Sequence, residues 1–339
     1  MQVDVVLGKA DWDSALKQMV GFDFVHTHDF HEASQSNGEG EPIAFVAHRN
    51  GGQVQSVWPA LRRNIAHSDR FDLTSVYGYA GPLFRANADS GAALTAIFSE
   101  MQRYGAVSLF SRMHPWFVRQ INDESLRGQK LGDVVAIEVS PTADVLTGYR
   151  ASHRREIINA RRAGLSVTIS SGSDALGEFS RIYRQSMAVL KASEYYYFSD
   201  SYFDRLLNAE AFQAHILFAE LAGRNVAASI FVVTGTTMQY YLSGTDANFR
   251  KLSPSKAIIA KAHELALGLG VERIILGGGV GSTRDALFNF KAGFSDLFLP
   301  FYITKRVLDL PAYQRLCDER AVGLERRTAF FPAYRAQSS

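Results

Sequence analysis

Residues 240–294 read YYLSGTDANFRKLSPSKAIIAKAHELALGLGVERIILGGGVGSTRDALFNFKAGF. An apolar run ends in Leu242-Ser243-Gly244 and predicts a strand. A polar loop then leads to Ser253-Pro254-Ser255, a helix start, because serine can cap free backbone N–H groups and proline, which has none, suits the first turn. Ile258, Ile259, Ala262, Leu265, Ala266 and Leu269 recur at helical spacing, and Gly268 and Gly270 predict the stop. Residues 273–276 read as a second strand and 286–290 as a second helix. The predicted order is strand, loop, helix, strand, helix.

Outward from this stretch, the chain reads as two copies of one plan. Residues 42–48 predict a strand, Asn50-Gly51-Gly52 a hairpin turn and 54–61 the returning strand. Residues 215–221, Gly223-Arg224-Asn225 and 226–233 repeat that pattern. A third strand follows in each half, through Tyr77-Gly78-Tyr79 and over 237–243. A helix comes next, near 91–104 and 255–269, and then another strand, 106–111 and 273–276. The residues differ but the order of elements repeats. Pro141 within Ser140-Pro141-Thr142 marks a break. The expected fold class is α/β: two tandem domains, 1–147 and 148–316, each a mixed twisted sheet flanked by helices.

Composition narrows the class further. The chain has 339 residues, 47% apolar and 21% charged, with a net charge of +2. That is enough chain for two cores and too little net charge for nonspecific nucleic-acid binding, so a basic site has to be local. The single cysteine, Cys317, excludes an internal disulfide and fits a reducing compartment. The N-terminus lacks a signal-peptide pattern and no apolar run reaches bilayer length, so the expected location is cytoplasmic, without stable membrane insertion.

Local basic charge occurs just after the break. Residues 148–164 predict a helix closed by Gly164 and carrying Arg150, Arg154, Arg155, Arg161 and Arg162. Helical periodicity brings Arg150, Arg154 and Arg161 near one face. A solvated helix face is one reading. A phosphate or nucleic-acid contact is the other, since guanidinium forks match phosphate oxygens.

These segments together resemble the Fem-type aminoacyltransferases, the double-GNAT proteins that build peptidoglycan cross-bridges, and their FemAB-like relatives. The resemblance rests on 149–167, with arginines before Ala-x-x-x-Gly-Leu-x-Val; on 239–255, a Tyr-x-x-Gly strand end followed by Ser-Pro-Ser; and on 275–294, a glycine-rich strand end followed by Phe-Lys-x-Gly-Phe. It implies two GNAT-like domains facing a long cleft, with a C-terminal segment, here 317–336, folded back on the first. It also implies a chemistry in which an amine attacks the activated carbonyl of an aminoacyl or acyl donor. In Fem proteins the donor is aminoacyl-tRNA and the acceptor a peptidoglycan precursor. The heptads of the coiled-coil insertion carried by bridge-extending members are missing, so the chain resembles the compact members.

The donor loop bears on which donor is used. GNAT enzymes hold the pyrophosphate of acetyl-CoA on backbone N–H groups of a glycine-rich loop, where glycine permits close approach. Residues 249–255, FRKLSPS, contain no glycine, and Pro254 removes one donor. The stretch 81–85 in the first half is no better. The loop weighs against acetyl-CoA and towards a tRNA-linked donor, with Arg250 and Lys251 available to contact phosphate through their side chains.

Lys291 is the expected catalytic residue. The resemblance places it in the functional Phe-Lys pair of compact Fem proteins, where it would neutralise a donor phosphate or the developing oxyanion, with Phe290 offering its ring face to the ammonium. A helix-terminal lysine favoured by the dipole is the plainer reading. Tyr241 and Ser243 are expected at the donor groove. Arg154, Arg155 and Arg250 are expected substrate contacts. Trp58, Tyr77 and Tyr79 are candidate stacking residues and Arg62 a candidate acceptor anchor. A nucleophile elbow is missing, so transfer should be direct, without a covalent enzyme intermediate. His26-Thr27-His28-Asp29-Phe30-His31 comes close to HxHxDH without matching it and lacks a further spaced ligand, so no metal is expected there. The 277–282 glycine run lacks the residues of a P-loop.

The expected function is a Fem-like aminoacyltransferase moving an amino acid from aminoacyl-tRNA, as co-substrate rather than cofactor, to an amine of a cell-wall precursor or small peptide. The alternative is an N-acyltransferase using acyl-CoA or a carrier and acting on an amino sugar or metabolite. A non-catalytic GNAT-like binding module is a third possibility.

Overall fold

The structure is a computed structural model, and residues 1–49, 51–141, 144–170, 173–320 and 330–336 are described. Asn50 of the expected hairpin turn, Thr142 of the expected break and residues 321–329 of the C-terminal segment lie outside the described residues. Two compact units form, Met1–Leu131 with Phe301–Ser339, and Gly132–Pro300.

In chain order the elements are β1 (Gln2–Val6), α1 (Lys9–Leu16), α2 (His28–Ser36), β2 (Glu41–His48), β3 (Val54–Asn64), β4 (Phe71–Thr74), β5 (Leu83–Phe84), α3 (Ser90–Arg103) and β6 (Ala106–Arg112). They continue with β7 (Gln129–Glu138), α4 (Ala151–Arg162), β8 (Ser166–Ser170), α5 (Ser173–Leu190), α6 (Asp200–Leu207), β9 (Gln213–Leu221), β10 (Arg224–Thr234) and β11 (Thr237–Thr245). The last are α7 (Pro254–Gly268), β12 (Arg273–Gly277), α8 (Ala286–Lys291), β13 (Leu297–Val307) and α9 (Leu310–Glu319).

The first unit's strands run β1-β2-β3-β4-β6-β13, with β5 beside β3. All neighbours are antiparallel except β4 and β6. The second unit runs β7-β12-β11-β10-β9-β8, and only β11 and β12 are parallel. Two hairpins, one parallel pair bridged by a helix (α3 or α7) and a closing antiparallel strand thus occur twice. A parallel pair needs a crossover connection, and a helix supplies it.

Two of the expected boundaries are corrected. The units do not divide at 147 and 316. Strand β7 pairs with β12 (Ile137 opposite Ile274), so residues 132–147 belong to the second unit. Strand β13 pairs with β6 (Ile303 opposite Arg112), so residues 301–316 belong to the first. The third strand of the first half is Phe71–Thr74, not a segment through Tyr77-Gly78-Tyr79. The chain leaves the sheet where the Ser75 N–H donates to Phe110 O at 2.9 Å, and the two tyrosines fall in the irregular stretch that follows.

Each unit buries its own core. In the first, Phe45, Trp58, Leu73, Ile97, Met101 and Leu109 pack between sheet and α3. In the second, Ala257, Ile258, Ile259, Ala262 and Ala266 of α7 pack on Phe231, Met238 and Ile274. Burial of each isoleucine contributes about 1.5–3 kcal/mol, which fixes α7 and therefore its N-terminus. Among the described residues no helix is long and apolar enough to cross a membrane.

The C-terminal residues pack into the first unit through an apolar cluster, with Ala333 and Tyr334 against Ile65, Val107 and Leu316, and through one buried carboxylate. Asp72 is fully buried. It accepts from Arg63 Nε at 2.9 Å, Arg335 Nε at 2.6 Å and the Tyr334 hydroxyl at 3.1 Å. Removing one partner of a buried ion pair strands the rest and costs about 3–5 kcal/mol. Asp72→Ala should therefore lower the thermal midpoint strongly, whereas Arg335→Ala, at a partly exposed group, should lower it less. Equal midpoints for wild type and Asp72→Ala in a thermal melt would remove this anchor.

Candidate active site

Strands β11 and β12 pair over only Thr237 to Gln239, opposite Arg273 to Ile275. Beyond that register β11 carries a bulge: Tyr240 faces Phe231 and Leu242 faces Ile230, leaving Tyr241 as the extra residue. A bulge bends its strand and sharpens the twist, so β11 parts from β12. A cavity of about 340 Å³ occupies this part of the second unit, lined in part by Tyr240, Ser243, Thr245, Arg250, Ser255 and Phe290.

The bulge also decides which tyrosine enters the cavity. Tyr241, expected at the groove, is directed instead to the hydroxyl of the fully buried Tyr202 on α6. Tyr240 lines the cavity and donates to Ser243 Oγ at 2.6 Å. Burial pushes its phenol up from the ordinary tyrosine range, so it stays protonated as a donor. Ser243 is where the sequence places it. Gly244 completes this wall because helix α5 crosses it: a Cβ there would lie 2.8 Å from Ile182 O and from Tyr183 Cα.

The cavity floor is the start of α7. Residues 247–252 form a 3-10 turn that spends its own N–H groups. Asn248 N donates to the Asp246 carboxylate at 3.0 Å, and Phe249 N to Asp246 O and Ser253 N to Arg250 O, both at 3.0 Å. Pro254 has no N–H, and Lys256 N donates back to Ser253 O at 3.0 Å. Arg250 is exposed at the cavity and its side chain has no partner among the described residues.

Helix α4 ties this floor to α8. Glu156 accepts from Lys256 Nζ at 2.7 Å and from the Ser253 hydroxyl, and these bonds, led by the lysine's, hold its carboxyl below the usual range. One turn earlier, His153 Nε2 lies 2.8 Å from Phe290 O. Since a carbonyl only accepts, Nε2 carries the proton. Gly293 faces this ring so closely that a Cβ would lie 2.2 Å from Nε2. The three segments singled out in the sequence therefore meet around one face of α4. His153, Glu156 and Lys256 were not recognised from sequence, and Tyr240 stood there only among the aromatics flanking the cleft, behind Tyr241; each sits inside a quoted stretch, but only the fold turns them towards one another.

Phe290 and Lys291 are separated by the helix. Phe290 lines the cavity, while Lys291 is 9% exposed and donates from Nζ to Gly278 O at 2.8 Å. Two of its three protons have no acceptor among the described residues. Burial pushes its pKa down to about 8, opposed by the charge of Asp285. On α4, Arg155 is exposed without a partner among the described residues, and Arg154 reaches Thr147 O at 3.4 Å.

In the first unit one candidate is corrected. Trp58 is 1% exposed and packs in the core against Phe98, because alternation along β3 points it at α3. Arg62 is paired with Glu41 at 3.0 Å, lies over the Phe71 ring and keeps its side chain 35% exposed. Tyr77 and Tyr79 are partly exposed, and Tyr79 packs edge-on to Phe301.

The fit of Gly293 against His153 generates a coupling. Gly293→Ala should cost about 1–3 kcal/mol by overpacking, and His153→Ala should relieve most of that cost. A urea-melt double-mutant cycle measures it; additive effects would show that the glycine is not there for the ring.

Residues 147–291 match the acetyltransferase (GNAT) domain family. In a comparison with curated protein sequences, none matched. Among solved structures, FemX is similar at 12% identity and a TM-score of 0.70, over 93% of this chain and 99% of that one. The C-terminal domain of a putative lysylphosphatidylglycerol synthetase from Agrobacterium fabrum is 17% identical, with a TM-score of 0.58 over 91% of this chain and 97% of that one. A tandem GNAT protein from the clavulanic acid biosynthesis pathway is 11% identical, with a TM-score of 0.52 over 90% and 98%. The chain has the Fem-like tandem GNAT fold, and its second unit is a GNAT acyltransferase domain.

Proposed function

We propose that the protein is a Fem-like aminoacyltransferase that moves an amino acid from aminoacyl-tRNA to an amine of a peptidoglycan precursor or peptide natural product. The observation that carries the donor assignment is the spent loop. The N–H groups of Asn248, Phe249, Ser253 and Lys256 bond inside the chain, and Pro254 has none, so a pyrophosphate finds few backbone donors at the start of α7. Arg250, Lys251 and Arg155 offer side-chain charges instead, two guanidinium forks and an ammonium, which suit separate phosphodiesters of a nucleic-acid end. The cavity, about 340 Å³ with hydroxyls from Tyr240, Ser243, Thr245 and Ser255, suits a polar aminoacyl group. This reading places the protein in the cytoplasm, where charged tRNA is found.

In the reaction, the acceptor's amine lone pair attacks the ester carbonyl carbon. A tetrahedral oxyanion forms, the bond to the ribose oxygen breaks, and that oxygen takes up a proton as the amine loses one. Lys291 is assigned the stabilisation of negative charge. Lys291 is 9% exposed, and two of its ammonium protons have no acceptor among the described residues, so they are available to a developing oxyanion or donor phosphate that reaches its side of α8. Phe290 is assigned to hold the acyl group along the cavity wall. Tyr240 and Ser243 orient its polar end. Arg154 and Arg155 contact the donor's phosphates. Tyr77 and Tyr79 are assigned to the acceptor.

The alternative, an N-acyltransferase using acyl-CoA or a carrier, is favoured by the acetyltransferase description of the matching family. RNase separates the two. Aminoacyl transfer from a charged-tRNA pool to an amine acceptor should be abolished by RNase and indifferent to acyl-CoA. RNase-resistant, acyl-CoA-dependent transfer would establish the alternative.

Lys291 makes a pH prediction. Its ammonium is the active form, so the rate should fall as pH rises through about 8. Stability should move the other way. Above the lowered folded value the unfolded chain binds more protons, so folding is favoured increasingly from about 8 up to the ordinary lysine range. A falling rate with a rising melting midpoint is thus the signature. Lys291→Ala should cost roughly 100–1,000-fold in kcat, the scale of a lost oxyanion donor. Full activity in Lys291→Ala, or a rate flat through that pH range, would remove Lys291 from the mechanism.

A further inference from the structure

The first unit holds a polar cluster outside the acyl-transfer chemistry, at the start of α2. Sequence reading takes His26, His28 and His31 as one set and expects no metal from their spacing. The structure divides them. His26 Nδ1 accepts from Asp23 N at 3.1 Å and His31 Nδ1 lies 2.8 Å from Thr27 O. Both rings are fully buried and serve the local backbone.

His28 differs. Its Nε2 lies 3.1 Å from Leu7 O, so Nε2 carries the proton and Nδ1 presents a lone pair. Nδ1 is buried and has no hydrogen-bond partner among the described residues, and the residue is only 7% exposed. One helical turn on, Glu32 Oε2 lies 3.9 Å from that nitrogen. One ligand atom from each of His28, Asp29 and Glu32 falls within 4.8 Å of the other two. Across on α1, Asp13 is close enough to interact with Asp29 and His28. The cations facing the group are Lys9, whose ammonium contacts Asp29, and Lys17, which acts on Asp13.

An imidazole whose ring N–H is fixed by a backbone carbonyl, with its other nitrogen aimed at carboxylates, is the arrangement metal-binding histidines take. One nitrogen with two or three carboxylate oxygens suits Zn²⁺ or Mn²⁺ better than a soft monovalent ion. We propose that His28, Asp29 and Glu32 bind a divalent transition-metal ion that displaces Lys9 from Asp29. His28 supplies Nδ1, Asp29 and Glu32 an oxygen each, and water completes the shell. Asp13 is placed to accept from that water. The ion clips the start of α2 to α1, and Lys9 serves as the cation held there when the metal is absent.

The competition with Lys9 makes the test specific. Full-length protein, freed of any histidine tag and stripped with a chelator, is titrated with Zn²⁺ by calorimetry and with Co²⁺ by visible absorption. Wild type should bind one equivalent and melt at a higher temperature with metal. Lys9→Ala should bind about tenfold more tightly, because a competing charge is gone. Glu32→Gln and His28→Gln should each bind at least about tenfold more weakly, and His28→Gln should lose the nitrogen-ligand signature of the Co²⁺ spectrum. Should His28→Gln not fold, Lys9→Ala and Glu32→Gln carry the result, since their side chains are 36% and 41% exposed. No binding at micromolar metal, or binding that ignores Lys9→Ala and Glu32→Gln alike, overturns the proposal; the second outcome denotes an adventitious ion only.

Discussion

The second unit depends on how briefly β11 and β12 stay together. Parallel strands hold one another by slanted, evenly spaced hydrogen bonds and stay paired while both remain regular. The extra residue at Tyr241 ends that regularity. Past it the two strands can no longer satisfy each other, and space opens between them. Helix α7 rises from the loop that β11 leads into, so its first turn forms the floor. Helix α8 follows β12 and brings Phe290 to the same space. Without the bulge the sheet would close and the chain would have a core where it has a cavity.

Helix α4 makes this opening a defined site rather than a gap. Its Glu156 satisfies Ser253 and Lys256, and its His153 satisfies the carbonyl of Phe290. The first anchors the floor and the second the wall. Ser253 adopts a left-handed backbone conformation with φ of 51°, uncommon for a residue with a side chain, and its bond to Glu156 helps hold it there. Strain of this kind persists when its surroundings over-determine it.

Much of this architecture was legible in the sequence because it is written in local patterns. Apolar residues at helical spacing and a Ser-Pro-Ser start locate α7 to within a residue, and paired hairpin signals show the duplication. What was not legible is what depends on the pairing of distant segments. The unit boundary follows from β7 pairing with β12 and β13 with β6, contacts that leave no mark in composition. Tyr240 and Tyr241 are identical in type, and only the bulge decides which faces the cavity. Trp58 looks like a stacking residue until β3 is seen to turn it into the core. The glycines of Tyr-x-x-Gly and Phe-Lys-x-Gly-Phe were visible as a resemblance, but their physical reasons, the α5 backbone and the His153 ring, lie more than fifty residues away in the chain.

The contact between Gly244 and α5 has a consequence for substrate scope. Because the helix backbone rests on the strand backbone, that wall cannot be moved by changing a side chain at 244 without pushing the whole helix outward. Ser186 and Leu190 of the same helix line the cavity; Ser186 is buried, whereas Leu190 is 58% exposed, so the size of residue 190 can vary with little effect on the core. The cavity is therefore rigid in its depth and adjustable at its rim. Variants selected for bulkier or smaller acyl groups would be expected to accumulate changes at 190 while 244 stays glycine.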